Sequence, residues 1–256
     1  MNWITGFHAV EEALAAGRPL DRVVLVRGRH GERIESVVRL AKSRGVPIRF
    51  EERDQIDRLA RTSEHQGVAA LASAHATVEL ADLLDRKIER GILVFLDGIE
   101  DPHNFGAIAR SALAAGVLGI VIPERRAAGL TDTAERASAG ALAHLHVARV
   151  KNLVRAMAEA KEAGYWMIGL DERAGTNYAD VDLKGSIGIV LGRESEGLHE
   201  LTRKNCDFLV SLPTTGPVRS LNVSVAAGIM LFEVIRQRHT SSRRSQDQYE
   251  KPLSQD

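Results

Sequence analysis

Apolar residues recur along this chain in two rhythms. Residues 9–17 (AVEEALAAG), 32–45 (ERIESVVRLAKSRG) and 54–63 (DQIDRLARTS) space them at helical intervals. Between these lie short runs with the length and bounding residues of strands: 22–26 (RVVLV), 46–50 (VPIRF) and 67–73 (GVAALAS). The alternation predicts a small α/β domain over residues 1–76. The polar stretch 77–90 (TVELADLLDRKIER) predicts a linker with a short helix.

A larger unit is expected over 91–238. Its strand candidates are 92–96, 118–122, 142–147, 166–170, 187–191 and 208–212, with helical stretches between most of them. Near-continuously apolar strands alternating with helices predict an α/β fold, a mainly parallel sheet covered on both faces. From His239 the chain turns polar and loses apolar periodicity, so 239–256 is expected to be a disordered tail.

Composition changes this picture little. The chain is 44% hydrophobic and 27% charged, an ordinary globular balance. No apolar run approaches the ~20 residues of a membrane span, and MNWITGFHAVEEAL lacks the form of a secretory signal. The lone Cys206 excludes an internal disulfide framework and argues for a reducing compartment. A cytoplasmic protein without a membrane partner is expected. The 34 basic and 34 acidic residues cancel. Locally they do not: residues 20–50 carry eight basic residues against Asp21, Glu32 and Glu35. That excess is either a solvated surface with helical ion pairs or a patch for RNA phosphates.

Three segments carry candidate chemistry. In 97–117 (DGIEDPHNFGAIARSALAAGV), a strand end leads through a polar turn into a helix. Asn104 is either the helix cap or a site residue. Arg110 is the only charge between Asn104 and Gly116, in a helix expected to be largely buried. A buried guanidinium is costly unless paired or facing an anion, so a substrate-facing role is preferred to a structural ion pair. In 185–198 (GSIGIVLGRESEGL), a strand runs into Gly192, expected to let a ligand approach the backbone. Glu194 follows as a functional candidate, whereas Glu196 reads as a solvated carboxylate. In 208–238, a strand ending at Leu212 leads through an irregular loop to Ser220, Leu221 and Asn222. These stand at the mouth of a helix that is apolar on nearly every side over 223–232. Such a helix is buried in a core or a subunit interface.

Other chemistries fit less well. No G-x-G-x-x-G opens the sheet for a nicotinamide dinucleotide, and G-R-E-S-E-G is not a G-x-S-x-G nucleophile turn. His144 and His146 lack the companions of a zinc site, so no metal is expected.

In this order, each at a strand end, the three segments resemble the SpoU (TrmH-type) branch of the SPOUT RNA methyltransferases. The shared features are N-x-x-x-x-x-R at 104–110, L-G-x-E-x-x-G-L at 191–198, and L-P…S-L-N-V-S-V-A ending at 226. The front end, ITGFHAVEEAL with the later HQGVAAL, is similar to that branch's L30e-like substrate domain. The loop TTGPVRS departs from the family pattern at Pro217 and Arg219.

The resemblance implies a trefoil-knotted C-terminal domain and S-adenosylmethionine as cofactor, held around Gly192, Leu212 and Leu221. It implies Arg110 beside the ribose 2′-hydroxyl as a phosphate-and-oxygen clamp, with Asn104, Glu194, Ser220 and Asn222 orienting it. In that arrangement Glu194 would offset the Arg110 charge in the empty site. It further implies a homodimer in which the arginine of one subunit serves the cofactor of the other. The implied reaction is 2′-O-methylation of a guanosine ribose in 23S rRNA. A tRNA guanosine substrate, or an RNA-binding relative without catalysis, are the alternatives.

Overall fold

A computed structural model describes residues 3–249 except 74, 75, 87, 195, 218 and 219, with side chains described to residue 240. Arg219 therefore lies outside the described residues.

The N-terminal unit comprises β1 (Trp3–Thr5), α1 (Phe7–Ala15), β2 (Leu20–Val26), α2 (Glu32–Ser43), β3 (Ile48–Glu51), α3 (Arg53–Ala60) and β4 (Val68–Ala72). Its four strands lie in the order β1-β4-β2-β3. β4 runs antiparallel to both neighbours, and β2 and β3 are parallel. The alternation of a strand's side chains decides what covers each face. Val23 and Leu25 pack with Val10, Leu14, Val37 and Ala41 of α1 and α2. Val24, between them, packs with Ile56 of α3 on the opposite face. The HQG turn before β4 is pinned by a fully buried His65. The Gly67 N–H donates to His65 Nδ1 at 2.9 Å, so Nε2 carries the proton and donates to Asp57 Oδ1 at 2.8 Å.

The second unit comprises α4 (Leu80–Leu84), β5 (Ile92–Leu96), α5 (Pro102–Ala114), β6 (Gly119–Pro123), α6 (Asp132–Ala137), β7 (His146–Val150), α7 (Leu153–Glu162), β8 (Trp166–Leu170), β9 (Thr176–Asn177), β10 (Ile187–Leu191), α8 (Glu200–Lys204), β11 (Phe208–Ser211) and α9 (Val223–Tyr249). Seven strands form one sheet in the order β7-β6-β5-β10-β8-β11-β9, and every pairing is parallel. On β5, Ile92, Val94 and Leu96 face the core shared with α5 and α9. Leu93 and Phe95 face the core containing α4 and α7. The expected two-sided α/β sheet is what the chain forms.

Two local expectations are corrected. Residues 142–147 do not form a strand: Ala141–Ala143 is a 3-10 turn, and β7 begins only at His146. Gly140, at φ 83°, turns the chain there, and the Ala-rich run AGALA supports a helical turn better than extended chain. The segment expected to be a disordered tail from residue 239 is instead helical through Tyr249. Once α9 is nucleated by its buried first turns, each added residue gains a backbone hydrogen bond without a new nucleation cost. Residues 250–256 lie outside the described residues. The apolar start of α9, expected to be buried in a core or a subunit interface, divides between two faces in the single chain. Val223, Ala227, Met230 and Leu231 are in the core, whereas Val225, Ile229 and Phe232 are exposed.

Candidate active site

In the large sheet, β6 and β7 lie on one side of β5, and β10, β8, β11 and β9 on the other. Ligands of parallel sheets collect where such winding reverses, beyond the carboxyl ends of the strands. Here those ends deliver the loops after β5, β8, β10 and β11, and the three candidate segments meet there.

The turn after β5 starts α5 with Asp101. Its Oδ1 accepts from the His103 N–H at 2.9 Å, and Pro102 occupies the first helical turn. Asp101, not Asn104, is therefore the helix cap, and a Pro just inside the start is the signal that marked it. Asn104 is released to point elsewhere. Its Nδ2 donates to Glu194 Oε1 at 2.9 Å. Asn222 Nδ2 donates both to Asn104 Oδ1 at 3.0 Å and to Glu194 Oε1 at 2.5 Å. Residues 104, 194 and 222 thus close a triad across three segments, the first turn of α5 and the two loops after β10 and β11. Asn222 also caps α9: its Oδ1 accepts from the Ser224 N–H at 2.9 Å and from Ser224 Oγ at 2.5 Å. Both Asn222 groups are thereby used. Glu194 Oε2 and the second Asn104 N–H carry no hydrogen bond among the described residues.

Beside the triad opens a cavity of about 200 Å³. Gly192, Leu212, Ser220 and Leu221 line it together with Glu194, and Leu170, Leu191 and Val210 extend its apolar wall. The chain's own packing also requires glycine at 192. A Cβ there would lie 2.2 Å from the Gly197 carbonyl carbon and 2.4 Å from the Leu198 nitrogen. The site needs glycine because the 193–197 turn closes onto it, sealed by Arg193 N–H to Gly197 O at 3.0 Å and the reverse bond at 2.9 Å.

Arg110 is not buried. It lies on the exposed side of α5, opposite Phe105, Ile108, Ala109 and Ala112, and has no side-chain partner among the described residues. It does not line the cavity of its own chain. Glu194 makes no ion pair with it and is held by the two asparagines instead. α9 leaves Val225, Ile229 and Phe232 exposed at helical spacing, and α5 leaves Leu113 exposed.

Two acids were not singled out from sequence. Asp97, 6% exposed, directly follows β5. It accepts from the His199 N–H and binds His199 Nδ1, each at 2.8 Å, tying the β5 turn to the end of the 192–198 loop. Asp171 follows β8, is buried, and lines the cavity. Burial pushes its carboxyl up, but hydrogen bonds from Arg173 and then Arg203 more than offset this and hold it below the usual range. An acid immediately after an apolar parallel strand was the available signal for both.

The described residues contain no group of three or more potential metal ligands. They contain no helix long and apolar enough to cross a membrane.

Residues 91–232 match the model of the SpoU rRNA Methylase family. The chain belongs to the SpoU family of RNA methyltransferases. Residues 3–78 of this SpoU methyltransferase match a second model, RNA 2′-O ribose methyltransferase substrate binding. YacO of Bacillus subtilis (strain 168), assigned by name to the TrmH family of tRNA/rRNA methyltransferases, is 41% identical over 93% of this chain and 96% of its own. A TrmH family protein of Staphylococcus aureus (strain COL) is 39% identical over 92% and 96%. Among solved structures, AviRb from Streptomyces viridochromogenes in complex with AdoMet aligns with TM-score 0.59 and 26% identity, covering 93% of this chain and 90% of that one. The AdoMet-bound rRNA methyltransferase from Sinorhizobium meliloti gives TM-score 0.59 and 26% identity over 91% and 86%.

Proposed function

We propose that this SpoU methyltransferase transfers a methyl group from S-adenosylmethionine to the 2′-oxygen of a guanosine ribose in 23S rRNA, as a cytoplasmic homodimer. The observation that carries the reading is the Asn104–Glu194–Asn222 triad at the rim of the Gly192 cavity. The 2′-O chemistry is supported by the substrate-binding match over 3–78, and rRNA by the family match over 91–232.

The cavity suits the cofactor chemically. Leu170, Leu191, Leu212 and Leu221 offer flat apolar contact for an adenine, and Glu194 faces the same space as a carboxylate suited to a cation. When bound, S-adenosylmethionine supplies an electrophilic methyl group on a sulfonium. The protein must hold the ribose oxygen in line with that methyl and help remove its proton. Positioning alone supplies ~7–11 kcal/mol in favourable cases. Glu194 locks the two asparagine amides, which leaves the second Asn104 N–H and Glu194 Oε2 as fixed hydrogen-bonding groups toward the ribose. Ser220 adds a hydroxyl on the cavity wall.

Arg110 acts as a clamp on the RNA phosphate and the 2′-oxygen. A guanidinium stays protonated throughout the physiological range, so its role is to stabilise negative charge. Because Arg110 stands outside its own cavity, it serves the cavity of a second subunit. The exposed Val225, Ile229 and Phe232 stripe with Leu113 supplies the apolar face for that pairing. The test is methyl transfer from labelled cofactor to 23S rRNA and tRNA transcripts, followed by mapping of 2′-O-methylation. Label at a 23S guanosine ribose is expected. Label confined to tRNA, or to a base, would overturn the assignment.

A further inference from the structure

The two domains are joined by more than the linker, through a carboxylate and a guanidinium 128 residues apart in sequence. Asp21, on β2 of the N-terminal domain, is 2% exposed. It pairs with Arg149 of β7, the edge strand of the catalytic sheet, and its backbone carbonyl accepts from Arg149 Nη1 at 2.6 Å. Asp21 Oδ1 also accepts from the Leu130 N–H at 3.1 Å, and the carboxylate lies against Gly129, where a Cβ would meet it at 2.5 Å. Ser73, leaving β4, donates to the Leu130 carbonyl at 3.4 Å. One carboxylate thus bonds both an edge strand and a loop of the other domain.

The surrounding charges make Asp21 hard to replace. Arg22 and Arg49 line the same small interdomain cleft as Arg149, and Glu124 faces them from the catalytic side. Glu51 lies within electrostatic reach of Arg22. Asp21 is the buried acid of the group, and removing its charge would leave Arg22, Arg49 and Arg149 with only the less buried Glu51 and Glu124 to oppose them. The contact also leads toward the active site. Leu130 belongs to the catalytic core and precedes α6. α6 packs closely on α5, where a Cβ on Gly106 would lie 2.5 Å from the Ala137 side chain. α5 carries Asn104 and Arg110.

We infer that Asp21 and Arg149 form an interdomain latch that fixes the RNA-binding domain at one orientation to α5, making Asp21 a positioning residue for RNA and not for cofactor. Domains joined by a linker move relative to one another unless their interface holds them. A substrate gripped by both domains then reaches the reacting geometry less often. The inference rests on the RNA-methyltransferase reading for its activity readout, whereas its distance readout is independent of it.

The test uses the full chain in a Cys206→Ser background, with one spin label in each domain. Asp21→Asn is expected to broaden the interdomain distance distribution. It should raise the KM for RNA about tenfold, with cofactor affinity within about twofold of the parent. Gly129→Ala reaches the same end from the other domain and alters no charge, because its new methyl group displaces the Asp21 carboxylate. Arg149→Lys, which keeps the charge, is expected to retain more of the RNA affinity than Arg149→Ala. Narrow, parent-like distances in both Asp21→Asn and Gly129→Ala would overturn the latch. Loss of cofactor binding in parallel with RNA binding in both variants would also overturn it, since the contact would then merely support the fold. Broadened distances with no change in RNA KM would overturn the positioning role.

Discussion

The Asn222 amide nitrogen lies 2.5 Å from Glu194 Oε1. These residues come from the two loops flanking the cavity, and the contact makes Glu194 the acceptor that holds both site asparagines. Glu194→Gln keeps the shape but replaces a charged acceptor by a neutral amide. Charge-assisted hydrogen bonds are roughly twice as strong as neutral ones. We expect methyl transfer to fall about 100-fold, with the melting temperature nearly unchanged because Glu194 is exposed. Single-turnover kinetics and thermal melting on one preparation check both halves.

Asn222→Ala should behave differently, since Asn222 also caps α9. Loss of a cap costs ~1 kcal/mol, so activity and stability should fall together. Asn222→Ser retains a capping oxygen and should recover stability without activity. Denaturant melts beside methylation assays separate the two.

Gly192→Ala places a methyl group 2.2 Å from the Gly197 backbone, and backbone cannot yield as a side-chain tip can. The 193–197 turn must open, with a cost on the order of 1–3 kcal/mol for overpacking. Calorimetry is expected to show cofactor binding weakened at least tenfold. Unchanged affinity would show that the turn is not part of the cofactor wall.

Phe232, 53% exposed, sits at the end of the apolar α9 stripe. Phe232→Asp is expected to leave each chain folded but to turn a dimer into a monomer in sedimentation. Activity should fall with it, because the proposed role of Arg110 requires the cavity of a second subunit. Mixing Phe232→Asp with parent protein should restore nothing.

Burial pushes the Cys206 thiol up to about 12, with Lys161 acting against that shift. At pH 8 the thiolate fraction is on the order of 10⁻⁴, against about a quarter for a free cysteine. Iodoacetamide at pH 8 should label the folded protein at least 100-fold more slowly than the denatured chain. Mass spectrometry over a time course reads this directly.

Much of the architecture was legible because apolar parallel strands are hard to disguise: residues 92–96, 166–170 and 187–191 were located from their runs alone and form β5, β8 and β10. The loops after them could be marked because their Gly, Asn and Glu residues break those runs. The face of α5 was not legible. Its alanines suit a buried or an exposed helix surface equally, so Arg110 read as buried when only the 105, 108, 109 and 112 side is. Asp101 was readable from the Pro102 beside it, yet Asn104 drew attention as the better-known capping type. Asp21 and Arg149 were beyond reach, because nothing local to either residue reports a partner 128 positions away.

The most direct measurement is methyl transfer to 23S rRNA by Arg110→Ala. Arg110 is exposed and unpartnered among the described residues, so its removal should leave folding and cofactor affinity intact while lowering the rate about 10³-fold. Parent-like methylation by Arg110→Ala would contradict the account at its centre.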